Sequence, residues 1–246
     1  MLLYAQIALA ALIAGTLDTA AGLGGGLLLL PMLAMLTGSK DAVLLSALIP
    51  LGWNLPRLVL LREWVNWRVA LQFAVGIVPG TYIGAWLLEL LDAHVLSTAI
   101  GGLLILFGIY YILKLYVDLP EPRGVKRGWF PVVGLVSGVI GALLGAGHGP
   151  LQTGALIASS MSVREIAGTN GALGSIVALS RIAGYAVRGI LDGSVLIPAA
   201  VGMVGAWGGA HLGVHLIRRS KDATLELVIA IVLVIAGAKM LYTGLH

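Results

Sequence analysis

Two glycine-rich stretches hold most of the residues in this chain that could recognise a ligand. The first, GTLDTAAGLGGGLLLLP over 15–31, carries Asp18 with Gly22, Gly24, Gly25 and Gly26. The second, GVIGALLGAGHGPLQTG over 138–154, carries Gly145, Gly147, His148, Gly149 and Gln152. Both lie inside long apolar runs. A glycine lowers helix propensity by about 1 kcal/mol against alanine, so clustered glycines, with Pro31 and Pro150 close by, predict a helix broken at that point. In a bilayer a broken backbone persists only where it is buried in protein or lines a polar cavity. The N–H groups freed at a half-helix start favour an anion. Close helix packing through small residues is the other reading, although two matched copies suit a break better than a packing motif.

Polar side chains elsewhere in apolar runs extend this set. A charge at the bilayer centre costs about 2.5–3.5 kcal/mol on insertion scales, which makes each one a functional candidate. His148 could donate to an anion or carry a coupling proton, its reference pKa being near 6.5, or simply satisfy a carbonyl. Asp18 could relay a proton, pair with an intramembrane arginine, or cap a helix start. Arg57 and Arg181 offer a planar fork of donors suited to carboxylate or sulfonate oxygens, or they snorkel to an interface. Asn54, Thr169, Asn170 and Gln152 could bind an anion or a neighbouring helix, the latter being the commoner use.

The elements that must position these residues come in two sets. A shift of 123 residues, half of the 246-residue chain, aligns Gly15 with Gly138, Gly22 with Gly145, Gly24 with Gly147 and Gly26 with Gly149. That is an internal duplication. Eight apolar elements follow: 2–37, 42–61, 69–91 and 95–116 in a first repeat (1–117), then 129–161, 165–187, 195–217 and 223–242 in a second (129–246). A Pro- and charge-rich linker, 118–128, joins them and reads as cytoplasmic. Elements one and five contain the breaks and are either pairs of half-helices or hairpins. As single crossings they make the repeats parallel; as hairpins they leave three crossings per half and make the repeats inverted, an arrangement common in secondary transporters. Gly76, Gly80 and Gly84 in element three, and the glycines of element seven, form faces for packing within the protomer or in a homodimer. Trp53, Trp64, Trp67 and Trp129 read as interface-belt residues, and Trp86 and Trp207 as packing residues.

Composition sets the class. The chain is 59% hydrophobic and 11% charged, with a mean hydropathy of +1.01. A soluble domain carries about 25% charge. The fold class is therefore an all-α polytopic membrane protein, in contact with the lipid bilayer. The net charge of +4 comes from residues between apolar runs and is no nucleic-acid signature. Cysteine is absent, which removes thiol chemistry and disulfides. No zincin or nucleophile-elbow motif occurs, so an enzyme is not expected. The breaks lack a carboxylate cluster for a hard cation, and neither a metal nor a cofactor is expected.

The twin pattern Gly15-x6-Gly22-x-Gly24-Gly25-Gly26, followed by Pro31, and Gly138-x6-Gly145-x-Gly147-His148-Gly149-Pro150 resembles the TauE/SafE family of sulfite- and organosulfonate-type anion permeases. The Asn66-Trp67 step is also similar to that family's. His148, where the family usually has glycine, and Asp18 are departures. The resemblance implies a cell- or inner-membrane permease moving a small anion such as sulfite, a sulfonate or a related carboxylate. On this reading the breaks meet near the midplane with Gly22, Gly24, Gly25, Gly26, Gly145, Gly147, His148, Gly149, Gln152, Asn170, Arg181, Asn54 and Arg57 at the substrate. Asp18 and His148 are the candidates for proton coupling, and rocking of one half against the other alternates access. An anion channel or a non-transporting assembly factor is the alternative.

Overall fold

The computed structural model describes residues 1–21, 25–116, 127–159, 161–216 and 222–245. They are helical almost throughout, with no strand among the described residues. Among the described residues, five stretches are long and apolar enough to cross a membrane: Leu2–Thr19, Ser39–Leu60, Trp67–Leu90, Ala93–Tyr110 and Gly193–Gly213. A helix needs about 20 apolar residues to span the hydrocarbon core, so this is a multi-pass membrane protein. Of the linker, 118–126 lies outside the described residues.

The helices are α1 (Leu2–Ala21), α2 (Gly25–Thr37), α3 (Ser39–Leu48), α4 (Leu51–Leu60), α5 (Trp67–Leu90), α6 (Ala93–Tyr116), α7 (Phe130–Leu144), α8 (His148–Ala158), α9 (Val163–Val187), α10 (Leu196–Leu216) and α11 (Asp222–Leu245). Element two, expected as one helix, is interrupted at Ile49-Pro50 and becomes α3 and α4. Its counterpart α9 contains no proline and runs unbroken for 25 residues from a capping box in which Ser162 and Glu165 satisfy each other's backbone N–H.

Elements one and five are hairpins. Fifteen residues of continuous helix would span about 22 Å at 1.5 Å per residue, yet Gln152 Nε2 on α8 lies 3.1 Å from Ser137 Oγ on α7. The reversal comes from Gly145 and Gly147, with φ of 78° and 88°. That left-handed region costs residues with a Cβ about 1–2 kcal/mol. Gly145 closes α7 by donating its N–H to Gly141 O at 3.0 Å. In element one α2 likewise starts against α1, since a Cβ on Gly25 would fall 2.6 Å from the carbonyl oxygen of Ala14.

The most extensive packing joins α5 to α7, α1 to α10 and α6 to α11. In the first two pairs the helices run in the same direction. Cβ atoms on Gly76, Gly80 and Gly84 would lie 1.8, 2.3 and 2.5 Å from the carbonyl oxygens of Pro131, Leu135 and Val139 in turn. Gly205, Gly209 and Gly213 face those of Ala8, Leu12 and Thr16 in the same way. Helices α6 and α11 run antiparallel, Gly101 meeting Gly237 and Leu241, and Gly108 meeting Ala230 and Val234. Both glycine faces are thus used inside the chain, where small residues let backbones approach closely.

Two short entries repeat a device. Asn66 accepts from the N–H of Val69 at the start of α5, and Asp192 accepts from Ser194 ahead of α10. Three tryptophans depart from expectation. Trp53 is buried, not in the belt, and packs against Gly15. Trp86 and Trp207, expected to pack internally, are 46% and 54% exposed on outward faces. Trp64, Trp67 and Trp129 are exposed.

Candidate functional site

A cavity of about 60 Å³ lies where the short helices converge, room for a few waters or an ion of similar bulk. Its walls come from both halves. Helices α1 and α2 supply Asp18, Gly26 and Leu27; α3 supplies Ser46; Pro50 and α4 supply Trp53, Asn54 and Arg57. Gly147 and α8 supply His148, Gly149, Pro150, Gln152 and Thr153, and α9 supplies Asn170 and Gly174.

Asp18 is buried in the last turn of α1. One carboxylate oxygen accepts from the N–H of Gly25, the first residue of α2, at 2.5 Å. The other lies 3.0 Å from Arg57 Nη2, which also donates to the Asp18 carbonyl at 3.1 Å. The pairing and capping expectations for Asp18 are both met by geometry. Arg57 keeps Nε and Nη1 without partners among the described residues, and its side chain is 18% exposed along the cavity wall.

Arg181 does not line the cavity. It is fully buried behind Ser46, donating to the carbonyls of Ser46 and Val43 at 3.0 and 2.9 Å and to Ser46 Oγ at 2.8 Å. Its Nε is 3.4 Å from Tyr185 OH, which in turn donates to Ala142 O at 2.5 Å. Among the described residues no carboxylate pairs with it. A buried charge without a counter-ion is strongly disfavoured, and here two helix carbonyls and the hydroxyls of Ser46 and Tyr185 ligate it. Among the described residues the cavity region therefore holds two guanidinium groups and one carboxylate.

The uncharged residues divide. Gln152 bonds Ser137 on α7, Asn170 Nδ2 donates to Thr153 Oγ1 on α8 at 3.0 Å, and Thr169 accepts from the N–H of Asn66 at 3.0 Å. These are helix-to-helix bonds. Asn54, only 7% exposed, has no partner among the described residues and faces the cavity beside Gly174. His148 opens α8, with Nδ1 buried against Gly141 and unpartnered. The α8 N-terminus carries no side-chain cap.

The family model described as "Sulfite exporter TauE/SafE" matches residues 7–240. The chain belongs to the TauE/SafE family. Three relatives from Bacillus subtilis (strain 168) are named as probable membrane transporter proteins. YunE is 26% identical over 95% of this chain and 96% of its own length. YjnA is 26% identical over 96% and 99%, and YdhB 25% identical over 70% and 74%. No solved structure matches.

Of the residues expected at the substrate of this TauE/SafE protein, the cavity gathers Gly26, Asn54, Arg57, Gly147, His148, Gly149, Gln152 and Asn170, with Asp18 among them. Gly25 stands behind Asp18 at the α2 start. Gly145 forms the turn against Ser46 and Leu30, and Arg181 lies one residue behind the wall. Gly22 and Gly24 fall outside the described residues. Ser46, Thr153 and Gly174 also line the cavity and were not singled out from the sequence, and Trp53, read there as a belt residue, lines it too. A serine or glycine within an apolar run carries no signal of which way it faces. For Trp53, the Pro50 and Pro56 that flank it are the only hint.

Proposed function

We propose that this protein is a secondary transporter of the cell membrane that carries a small oxyanion, sulfite or a similarly compact sulfur or carboxylate anion, through the cavity between the two helical hairpins. The observation that carries the reading is the local excess of positive charge. Asp18 balances Arg57, Arg181 is unbalanced, and the uncapped N-terminus of α8 adds partial positive charge at the cavity. In the low-dielectric surroundings of a membrane protein such an excess favours an anion. The family and the transporter relatives support transport over catalysis.

The same reading includes two inverted repeats. Helices α6 and α11 hold matching places in the two halves and run antiparallel. A two-fold axis along the membrane normal would leave matching helices parallel; an axis in the membrane plane reverses them, which supports the inverted arrangement. Because α1 packs on α10 and α7 on α5, the moving bodies in alternating access each combine parts of both halves. They are not the two halves as blocks.

The test is a thermal-shift panel on the purified full chain with sulfite, sulfate, taurine, sulfoacetate, acetate, chloride and a sodium series. A ligand that binds only the native state stabilises by RT ln(1 + [L]/Kd), about 2.7 kcal/mol at one hundred times Kd. The expected result is a selective shift with one compact oxyanion, reduced in His148→Ala and Arg57→Gln, with saturable uptake of that anion by proteoliposomes. A shift with cations alone, or none at all, refutes the reading.

A further inference from the structure

The two hairpins are not equivalent. The shift that aligns Gly26 with Gly149 also sets Asp18 against Gly141 and Gly25 against His148. In the structure each of these hairpins brings its own pair together. A Cβ on Gly25 would fall 2.6 Å from Asp18 Cβ, and one on Gly141 would fall 3.1 Å from His148 Nδ1. One member of each pair is glycine, but the polar member has changed sides. In the first hairpin a carboxylate stands on the long helix; in the second an imidazole stands on the short one.

The consequence concerns the helix starts. The first N–H of α2 is held by the Asp18 carboxylate at 2.5 Å, the contact a bound oxyanion would make there. Gly141 offers no such group to α8, whose N-terminus has no side-chain cap and opens on the cavity. A second observation marks the same space for a ligand. Asn54 is 93% buried, with 7% of its surface exposed, and its amide is unpartnered among the described residues and faces the cavity. The fully buried side-chain atoms without partners among the described residues are Gln72 Oε1 and His148 Nδ1; the Asn54 amide instead reaches the cavity space, where it can donate to a bound anion.

Resting on the anion-site reading above, we propose that Asp18 is a tethered anion: its carboxylate fills the docking position at α2, leaves the α8 end with Asn54 as the position for a free oxyanion, and competes with that oxyanion for Arg57. The native chain then binds one equivalent, and the asymmetry between the repeats fixes which break takes it.

Isothermal titration of the purified full chain with sulfite, and with acetate as a second probe, tests this. Asp18→Asn keeps the shape of the side chain and a carbonyl for the Gly25 N–H but removes the competing charge, so binding tightens at least tenfold. Gly141→Asp installs the missing carboxylate beside α8 and weakens binding at least tenfold relative to Gly141→Asn, which is neutral and of equal bulk. The two Gly141 variants crowd the His148 ring with side chains of equal bulk, so their difference reads the added carboxylate. Binding to Asp18→Asn no tighter than to the native chain, or equal binding by the two Gly141 variants, overturns the tethered anion while leaving the anion site standing. If Asp18→Asn does not fold, the Gly141 pair decides. Failure of both probes to bind the native chain and Asp18→Asn overturns the anion site, and the tethered anion with it.

Discussion

Arg181 touches no part of the cavity surface, yet the structure makes its charge important to whatever binds there. Ser46 Oγ lies 2.8 Å from Arg181 Nη2 and also lines the cavity. An anion resting on the other side of that hydroxyl is roughly 6 Å from the guanidinium. At an effective dielectric constant of about 20, two unit charges at that distance interact by about 3 kcal/mol, a factor of roughly 100 in affinity. Arg181→Gln removes the charge and retains an amide that can reach one of the carbonyls of Val43 and Ser46. Arg181→Lys keeps the charge but loses the fork that holds both carbonyls at once. Both variants lower the melting temperature, because carbonyl partners are lost in a buried site. Only Arg181→Gln weakens anion binding, by up to about 100-fold on the same Coulomb estimate; Arg181→Lys stays within about threefold on the same argument. Titration calorimetry in detergent, with the melting curve measured alongside, separates the two effects. Equal affinity in the native chain and Arg181→Gln would show that the buried charge serves packing alone.

Three other outcomes follow from particular contacts. Gly76→Ala places a Cβ 1.8 Å from the Pro131 carbonyl oxygen and pushes α5 off α7; overpacking of this kind costs about 1–3 kcal/mol, read as a lower midpoint in a denaturation series, and an unchanged midpoint would refute the close approach. Gly147→Ala combines a φ of 88° with a Cβ 3.1 Å from Leu103; about 1–2 kcal/mol of backbone strain should lower stability and, by moving the start of α8, weaken anion binding as well. The Ser194 hydroxyl and N–H hold the Asp192 carboxyl below its ordinary value of 3.8. Its folded pKa is depressed, so the contribution to the α10 entry is complete above pH 3.8 and fades as pH falls below it. The protection factor of the Ser194 amide, taken against its intrinsic exchange rate at each pH, should fall only in that acid range, and a fall near neutrality would refute the cap.

The duplicated breaks were legible because glycine clusters within apolar runs have few other physical causes, and their 123-residue spacing is plain in the chain itself. Asp18, Arg57, His148 and Arg181 could each be singled out by the cost of a charge in a membrane. Their relations could not. Asp18 and Arg57 stand 39 residues apart, and whether they meet depends on how α4 crosses α1, which no local pattern encodes. Arg181 lies one residue behind the cavity wall because of the rotation of α9 about its axis. An arginine in an apolar helix looks alike on any face. The bend at Pro50 was hidden by an apolar run that continues through it. Trp53 was misplaced for the related reason that an aromatic belt and a buried wall use the same side chain.

The pairing of α1 with α10 and of α5 with α7 also sets an order for the birth of the protein. Synthesis runs from the N-terminus, so α1 enters the membrane with its small-residue face open and waits for a partner that begins near residue 196, four-fifths of the way along the chain. The α5 glycine stripe waits only for α7, which begins 40 residues after α5 ends. Contacts this distant in sequence form late and slowly. A ribosome that stops after the first repeat leaves α1 without α10 and α5 without α7, the state in which a quality-control protease would meet the chain. The small-residue seam of α1 is closed only once α10 has been made.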